Sequence, residues 1–99
     1  MRIVKRKPNK KTLIIDITIE NEKIKEIIIS GDFFANPPEE IDNLQENLRN
    51  KTLEEAINQI LSYEKTVELL GISWSDIIEV IREAYQKYKQ HANYHNLPI

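Results

Sequence analysis

In the segment Thr12–Glu20, TLIIDITIE, the apolar Leu13, Ile15, Ile17 and Ile19 alternate with Thr12, Asp16, Thr18 and Glu20. A period of two turns the apolar set to one face, as in a half-buried strand of an antiparallel sheet. The next run, Ile24–Ile29, is too rich in β-branched residues and too short for anything but a strand buried on at least one face. Asn21-Glu22 leaves room only for a tight connection, so the two strands form a hairpin. Asn tolerates the positive φ of such a turn, whereas Glu is less favourable there than Gly, and the turn type stays open. An isolated hairpin is marginal in water. A third strand is therefore expected, from residues 2–6 around Ile3-Val4 or from the segment around Phe33-Phe34.

Beyond the hairpin the chain turns at Gly31-Asp32, where Gly accepts a backbone that a Cβ would resist. Phe33 and Phe34 follow, and successive side chains of an extended chain point to opposite faces. One phenylalanine belongs inside and the other outside; simple alternation from Ile27 and Ile29 puts Phe33 inside, a one-residue register shift at the Gly31 turn puts Phe34 there, and the choice stays open. A first helix is predicted from about Pro38 to Leu48, with Ile41, Leu44 and Leu48 as its apolar stripe. Thr52 and Glu55 make a capping box that opens a second helix through Leu53, Ile57, Ile60 and Leu61. That helix stops near Tyr63 or runs weakly to Leu70, with Gly71 as terminator. Ser73 caps a third helix, with Asp76 in its first turn and a stripe of Ile77, Ile81, Tyr85 and Tyr88 ending at about Lys89 or His91. Residues 92–99 are expected to be a loose tail. The fold class is α+β: a small antiparallel sheet of two to three strands with about three helices packed on one face.

Length and composition narrow the function classes. At 99 residues, 40% hydrophobic and 30% charged, the chain reads as one globular domain, residues 1–99. It has no cysteine, which removes disulfides, thiolate nucleophiles, iron–sulfur ligation and cysteine zinc sites together. No run approaches the roughly 20 apolar residues of a membrane span, and no signal-peptide pattern opens the chain; a cytoplasmic location is expected. The net charge of -2 hides an asymmetry. Residues 1–11 hold Arg2, Lys5, Arg6, Lys7, Lys10 and Lys11 with no acid, while the rest holds eight basic and 16 acidic side chains. A basic arm on an acidic body is either a docking element or a solubilising terminus. The acidic body and the lack of interleaved aromatics argue against nucleic acid.

No catalytic constellation is present. Two glycines cannot build a phosphate loop, and no Ser/His/Asp set forms, because both histidines sit near the end of the chain. His91 and His95 have helical i,i+4 spacing, but no Asp or Glu lies near them, so no metal site is expected. Asp32 either satisfies turn N–H groups or reaches into a partner's site. Trp74 is an interface anchor or packs across the Gly71 bend. Tyr85 and Tyr88 fall on the apolar stripe and read as core.

Gly31-Asp32-Phe33-Phe34 directly after a β-branched strand, followed by Pro37-Pro38-Glu39-Glu40-Ile41 and a short amphipathic helix, resembles the C-terminal accessory domain of lipoate–protein ligases. Lys7-Pro8-Asn9-Lys10-Lys11-Thr12-Leu13 looks like an altered form of that family's Lys-Pro-Gly-Gly-Lys-Leu segment, with Asn9 and Lys10 in place of the glycines. The resemblance covers about residues 5–61. Such ligases activate lipoate with ATP to lipoyl-adenylate and then transfer lipoyl to a lysine of a carrier domain. Archaea encode the accessory domain as a separate small subunit, and this chain is similar in length. The resemblance implies a non-catalytic accessory subunit that closes on the active site of a separate catalytic subunit. Lipoate and ATP/Mg would be bound by that partner and none by this chain alone. Indirect partners would be the lipoyl carrier domains of 2-oxoacid dehydrogenases or the glycine cleavage H protein. The residues implied in partner binding or active-site closure are Gly31, Asp32, Phe33, Phe34, Lys7 and Lys11. The alternative is a small α+β protein- or nucleic-acid-binding module using its basic arm.

Overall fold

The computed structural model describes the backbone of residues 1–95 and the side chains of residues 1–91. Strands β1 (Arg2–Lys5), β2 (Leu13–Glu20) and β3 (Lys23–Gly31) form an antiparallel sheet in the order β1-β2-β3. Both candidate segments for a further strand are used. Residues 2–5 complete this sheet, and β4 (Phe34–Asn36) pairs with β5 (Glu68–Leu70) in a separate two-stranded ribbon. Helices α1 (Glu40–Leu48), α2 (Leu53–Glu64) and α3 (Trp74–His95) complete an α+β fold.

The alternation in β2 emerges as expected. Leu13, Ile15 and Ile17 are buried beside Ile3, Ile27 and Ile29, under α1 and α3. Val4 and Ile28 lie exposed on the other face. At the far end the pairing shifts from Thr18↔Glu26 to Ile19↔Ile24, so Lys25 is an extra residue on β3. This bulge returns Ile24 to the core face although it lies three residues from Ile27. Asn21 and Glu22 both have positive φ, 51° and 68°, as a type I′ turn requires. Two tyrosines of α3 hold the unfavourable Glu22 in place. The Tyr85 hydroxyl donates to the Glu22 carbonyl at 3.0 Å, and the Glu22 N–H donates to the Tyr88 hydroxyl at 3.2 Å. Burial pushes the Tyr85 hydroxyl up to about 12.

The outer edge of β3 is covered, as an edge strand must be. The Gln45 side chain accepts the Ile29 N–H at 2.7 Å, and Ile24 exchanges backbone hydrogen bonds with Asn50 and Lys51. The capping box at Thr52 and Glu55 forms with both bonds in place. The core face of α2 is Ala56, Ile60 and Tyr63, however, and Leu61 is exposed. The helix stops at Glu64, because the chain then turns back to form β5. Gly71 therefore closes a strand and terminates no helix. Trp74 is buried, with its indole N–H on the Val67 carbonyl at 3.0 Å, so it packs inside and anchors no interface.

Ile77, Ile81 and Tyr85 of α3 are buried with Val80 and Ala84, and Tyr88 is half-buried. The helix continues to His95, so residues 92–95 are helical where a loose tail is expected. Residues 96–99 of that tail lie outside the described residues. Among the described residues no helix is long and apolar enough to cross a membrane.

Candidate functional site

Three segments meet at the corner where β3 ends. At Gly31 the backbone φ is 140°, and a Cβ there would strike the Thr12 carbonyl. Close approach of β2 and β3 at this point requires glycine. Asp32 then clamps the two strands together. Its carboxylate accepts the Thr12 N–H at 2.6 Å, and its own N–H donates to the Thr12 carbonyl at 3.3 Å. The local role dominates, since at least one Asp32 oxygen is already committed to the chain's own backbone.

Alternation divides the phenylalanines. Phe33 is half-buried against the core, whereas Phe34 is 71% exposed. It continues along the ribbon: Ala35 and Leu69, directly opposite one another, pack inward. Phe34 faces outward opposite Leu70, which is itself 55% exposed.

The third segment is the loop from Arg6 to Lys11. The Lys10 N–H donates to the Lys7 carbonyl at 3.0 Å, and Asn9 has φ 62°. Asn9 stands where the resembled motif has its first glycine, and Asn is among the few residues that visit the left-handed region readily. The Lys11 N–H donates to the Gly71 carbonyl at 2.8 Å. Gly71 has φ 99°, and a Cβ on it would lie 2.6 Å from Lys11 Cγ. The Lys11 stem thus lies over Gly71. Lys11, Gly31, Asp32, Phe33 and Phe34 are brought together, with Leu70 and Gly71 added by β5.

Lys7 is engaged elsewhere. Its ammonium lies 2.7 Å from Glu79 and 2.9 Å from Asp76, both on α3. Glu79 first and Asp76 second push the Lys7 pKa up to about 12. The Asp76 side chain is only 4% exposed. It accepts the Ser73 N–H at 2.9 Å as a helix cap and Lys10 Nζ at 2.9 Å as an ion pair. Burial pushes this carboxyl up, but Lys10, Lys7 and Ser73 together hold it well below the usual carboxylate range.

The basic segment is thus no free arm. Ile3 sits in the core, and the Met1 amino group and carbonyl both bond to the Ile17 backbone. Arg2 pairs with Asp16 at 2.8 Å, and Lys5 with Glu83 at 3.5 Å. Of the six cations only Arg6 and Lys11 make no ion pair among the described residues. The surface charge available to a partner is much smaller than the sequence count suggests.

Leu70, Gly71 and Asp76 are the members of this corner that sequence reasoning misses. Glu68–Leu70 is too short for alternation to show, and the tether through Asp76 exists only in three dimensions. Among the described residues no group of three or more His, Asp or Glu side chains is arranged to hold a metal ion. What the corner presents to solvent is the exposed side chains of Phe34 and Leu70, with Lys11 beside them.

Residues 6–81 match the family described as bacterial lipoate protein ligase C-terminus. The match runs past the motifs near the hairpin, through β5 and into α3. The chain is 37% identical over 76 residues to lipoate-protein ligase A subunit 2 of Thermoplasma acidophilum, covering 74% of this chain and 80% of that protein. In three dimensions it is similar to a chain of an archaeal lipoylation system from the same organism, a bi-partite lipoate protein ligase and its E2 lipoyl domain. The TM-score is 0.67 at 29% identity, covering 80% of this chain and 94% of that one.

Proposed function

The chain belongs to the lipoate protein ligase C-terminus family, and on that premise we propose that it is the accessory subunit of a two-protein lipoate–protein ligase in the cytoplasm. The catalytic subunit binds lipoate and ATP/Mg and forms lipoyl-adenylate; this chain closes on that site and is needed for the activation. Carrier domains of 2-oxoacid dehydrogenases or the glycine cleavage H protein then receive the lipoyl group. The observation that carries the reading is the likeness, over 80% of this chain and 94% of that one, to a chain of an archaeal lipoylation system comprising a bi-partite lipoate protein ligase and its E2 lipoyl domain.

The residues of this chain support that division of labour. Both glycines serve close approach inside the domain, Gly31 to the Thr12 carbonyl and Gly71 to the Lys11 stem. Neither opens a cradle of N–H groups of the kind that holds phosphate at a helix N-terminus. The ammonium groups of Lys7 and Lys10 rest on Asp76. On this reading the nucleotide sits on the catalytic subunit, and this chain contributes by binding. The corner of Gly31, Asp32, Phe33, Phe34 and Lys11, with Lys7 behind it, is the partner-facing surface. The alternative of a basic nucleic-acid arm is weakened by the in-chain ion pairs of Arg2, Lys5, Lys7 and Lys10.

The test is pyrophosphate release from ATP and lipoate. The pure chain should release none, and adding it to the cognate catalytic subunit should raise the rate strongly. No rise with the correct partner removes the reading.

A further inference from the structure

We infer that the outer face of the β4–β5 ribbon, centred on Phe34 and Leu70 with Lys11 beside its Leu70 end, docks into an apolar hollow bordered by carboxylate on the catalytic subunit. The inference rests on the accessory-subunit reading and adds β5 and the chemistry of the complementary surface.

Phe34 and Leu70 are direct cross-strand partners, and both are exposed. Such a pair has its Cβ atoms about 4.5–5.5 Å apart, so the two side chains form one apolar patch. The other exposed large apolar side chains among the described residues carry no aromatic ring: Met1, Val4 and Ile28, with the Arg2–Asp16 ion pair in line with Ile28 on the back of the sheet, and Leu61 on α2. Isolated apolar residues on a surface need no explanation, but an exposed aromatic beside an exposed leucine does.

The ribbon itself is an unusual place to put them. Two strands of three residues are marginal in water, and only Ala35 and Leu69 tie the ribbon to the core. An outward Phe adds nothing to that tie. Its place is nevertheless fixed, because Gly31 and Gly71 both hold the Phe34–Leu70 end of the ribbon, against Thr12 and Lys11. A large aromatic held rigidly and left in water is the form of a binding anchor, since little freedom remains to be lost on docking.

Charge gives the direction. Lys11 lies over Gly71, next to Leu70, and makes no ion pair among the described residues. At the other end of the ribbon stand Asn36 and Glu68, again directly opposite one another. The ribbon therefore has a basic residue near one end and an acidic residue at the other, which favours a partner in one orientation. The carboxylate of that partner belongs beside Lys11.

The experiment is a calorimetric titration of the full chain and its variants into the cognate catalytic subunit, with thermal unfolding of each variant beside it. Phe34→Ala and Leu70→Ala should each weaken Kd by at least about tenfold at unchanged melting temperature. The double variant should lose less than the product of the two, because both fill one hollow. Lys11→Glu should weaken binding more at low salt than at high salt. Leu61→Ala should bind as wild type. If Phe34→Ala melts early, Leu70→Ala and Lys11→Glu still decide the matter. Wild-type binding with no loss in Phe34→Ala, Leu70→Ala or Lys11→Glu overturns the docking surface and leaves the accessory reading standing. Failure of the wild-type chain to bind the catalytic subunit removes both.

Discussion

The Lys10 ammonium lies 2.9 Å from the Asp76 carboxylate, 66 residues further along the chain. The same carboxylate caps α3 by accepting the Ser73 N–H. One buried group thus starts the third helix and fixes the loop that carries Arg6 and Lys11. A helix cap and a tertiary tether are coupled at a single side chain.

Replacing Asp76 by Asn should therefore cost more than a surface ion pair would. A hydrogen bond to a charged group contributes about 1.5–3 kcal/mol, and the variant is expected within that range. The effect of pH has a definite sign. The folded-state pKa of Asp76 is depressed, so its contribution is full above the ordinary value of 3.8 and is lost as pH falls below it. Urea unfolding between about pH 5 and about pH 2 should show a steep loss of stability in the wild type and a shallower one in Asp76→Asn. Asp16, Glu55 and Glu79 are depressed too and will keep some slope in the variant. Identical slopes would mean that Asp76 carries none of the acid sensitivity.

The two glycines should not be equally replaceable. Both have positive φ, a strain of about 1–3 kcal/mol for any other residue. A Cβ on Gly71 meets the Lys11 stem, which can swing away, whereas a Cβ on Gly31 meets the Thr12 carbonyl inside the sheet. Gly31→Ala should accordingly lower the melting temperature more than Gly71→Ala. The reverse order would show that the Lys11 stem is held more firmly than the strand end.

What sequence reasoning recovers here follows from how local each signal is. Alternation in Thr12–Glu20, the capping box at Thr52, the cap at Ser73, and the placing of only one of Phe33 and Phe34 inside depend on near neighbours, and all appear in the fold. The ribbon strand Glu68–Leu70 was invisible because three residues carry no period. Trp74 reads from the sequence as either an interface anchor or a packing residue, and its indole finds the Val67 carbonyl inside the domain. Residues 1–11 read as a basic docking or solubilising arm when charge is counted along the chain, whereas four of their six cations are paired within the domain. Their partners Asp16, Asp76, Glu79 and Glu83 are remote in sequence, so the pairing could not be read from composition.

Removing residues 1–5 should consequently damage folding as well as any docking. The deletion takes away β1, leaves the β2 edge open and removes Ile3 from the core. Ile3→Ala alone should cost about 2–4 kcal/mol, as for other buried aliphatic truncations. Thermal unfolding should place the deletion below Ile3→Ala and both well below wild type. A truncated chain that melts with the full-length chain would restore the free-arm reading.

The last expectation separates the two phenylalanines by stability alone. Phe33 packs against the core at the point where Gly31 and Gly71 come near it, its ring edge 3.2 Å and its Cβ 3.5 Å from where their Cβ atoms would stand. It is only half-buried, so Phe33→Ala should cost roughly 2–3 kcal/mol, less than the 3–5 kcal/mol of a fully buried ring. Phe34 points into solvent, and Phe34→Ala should change stability by no more than about 0.5 kcal/mol, as surface substitutions usually do. Urea denaturation measures both, and an unchanged slope in each variant would show that the midpoint shift is a change in stability and not in the denatured state. Equal losses at the two positions would mean that the ribbon's outward face contributes to the core after all. In that case Phe34 could no longer be regarded as a side chain held ready for a partner.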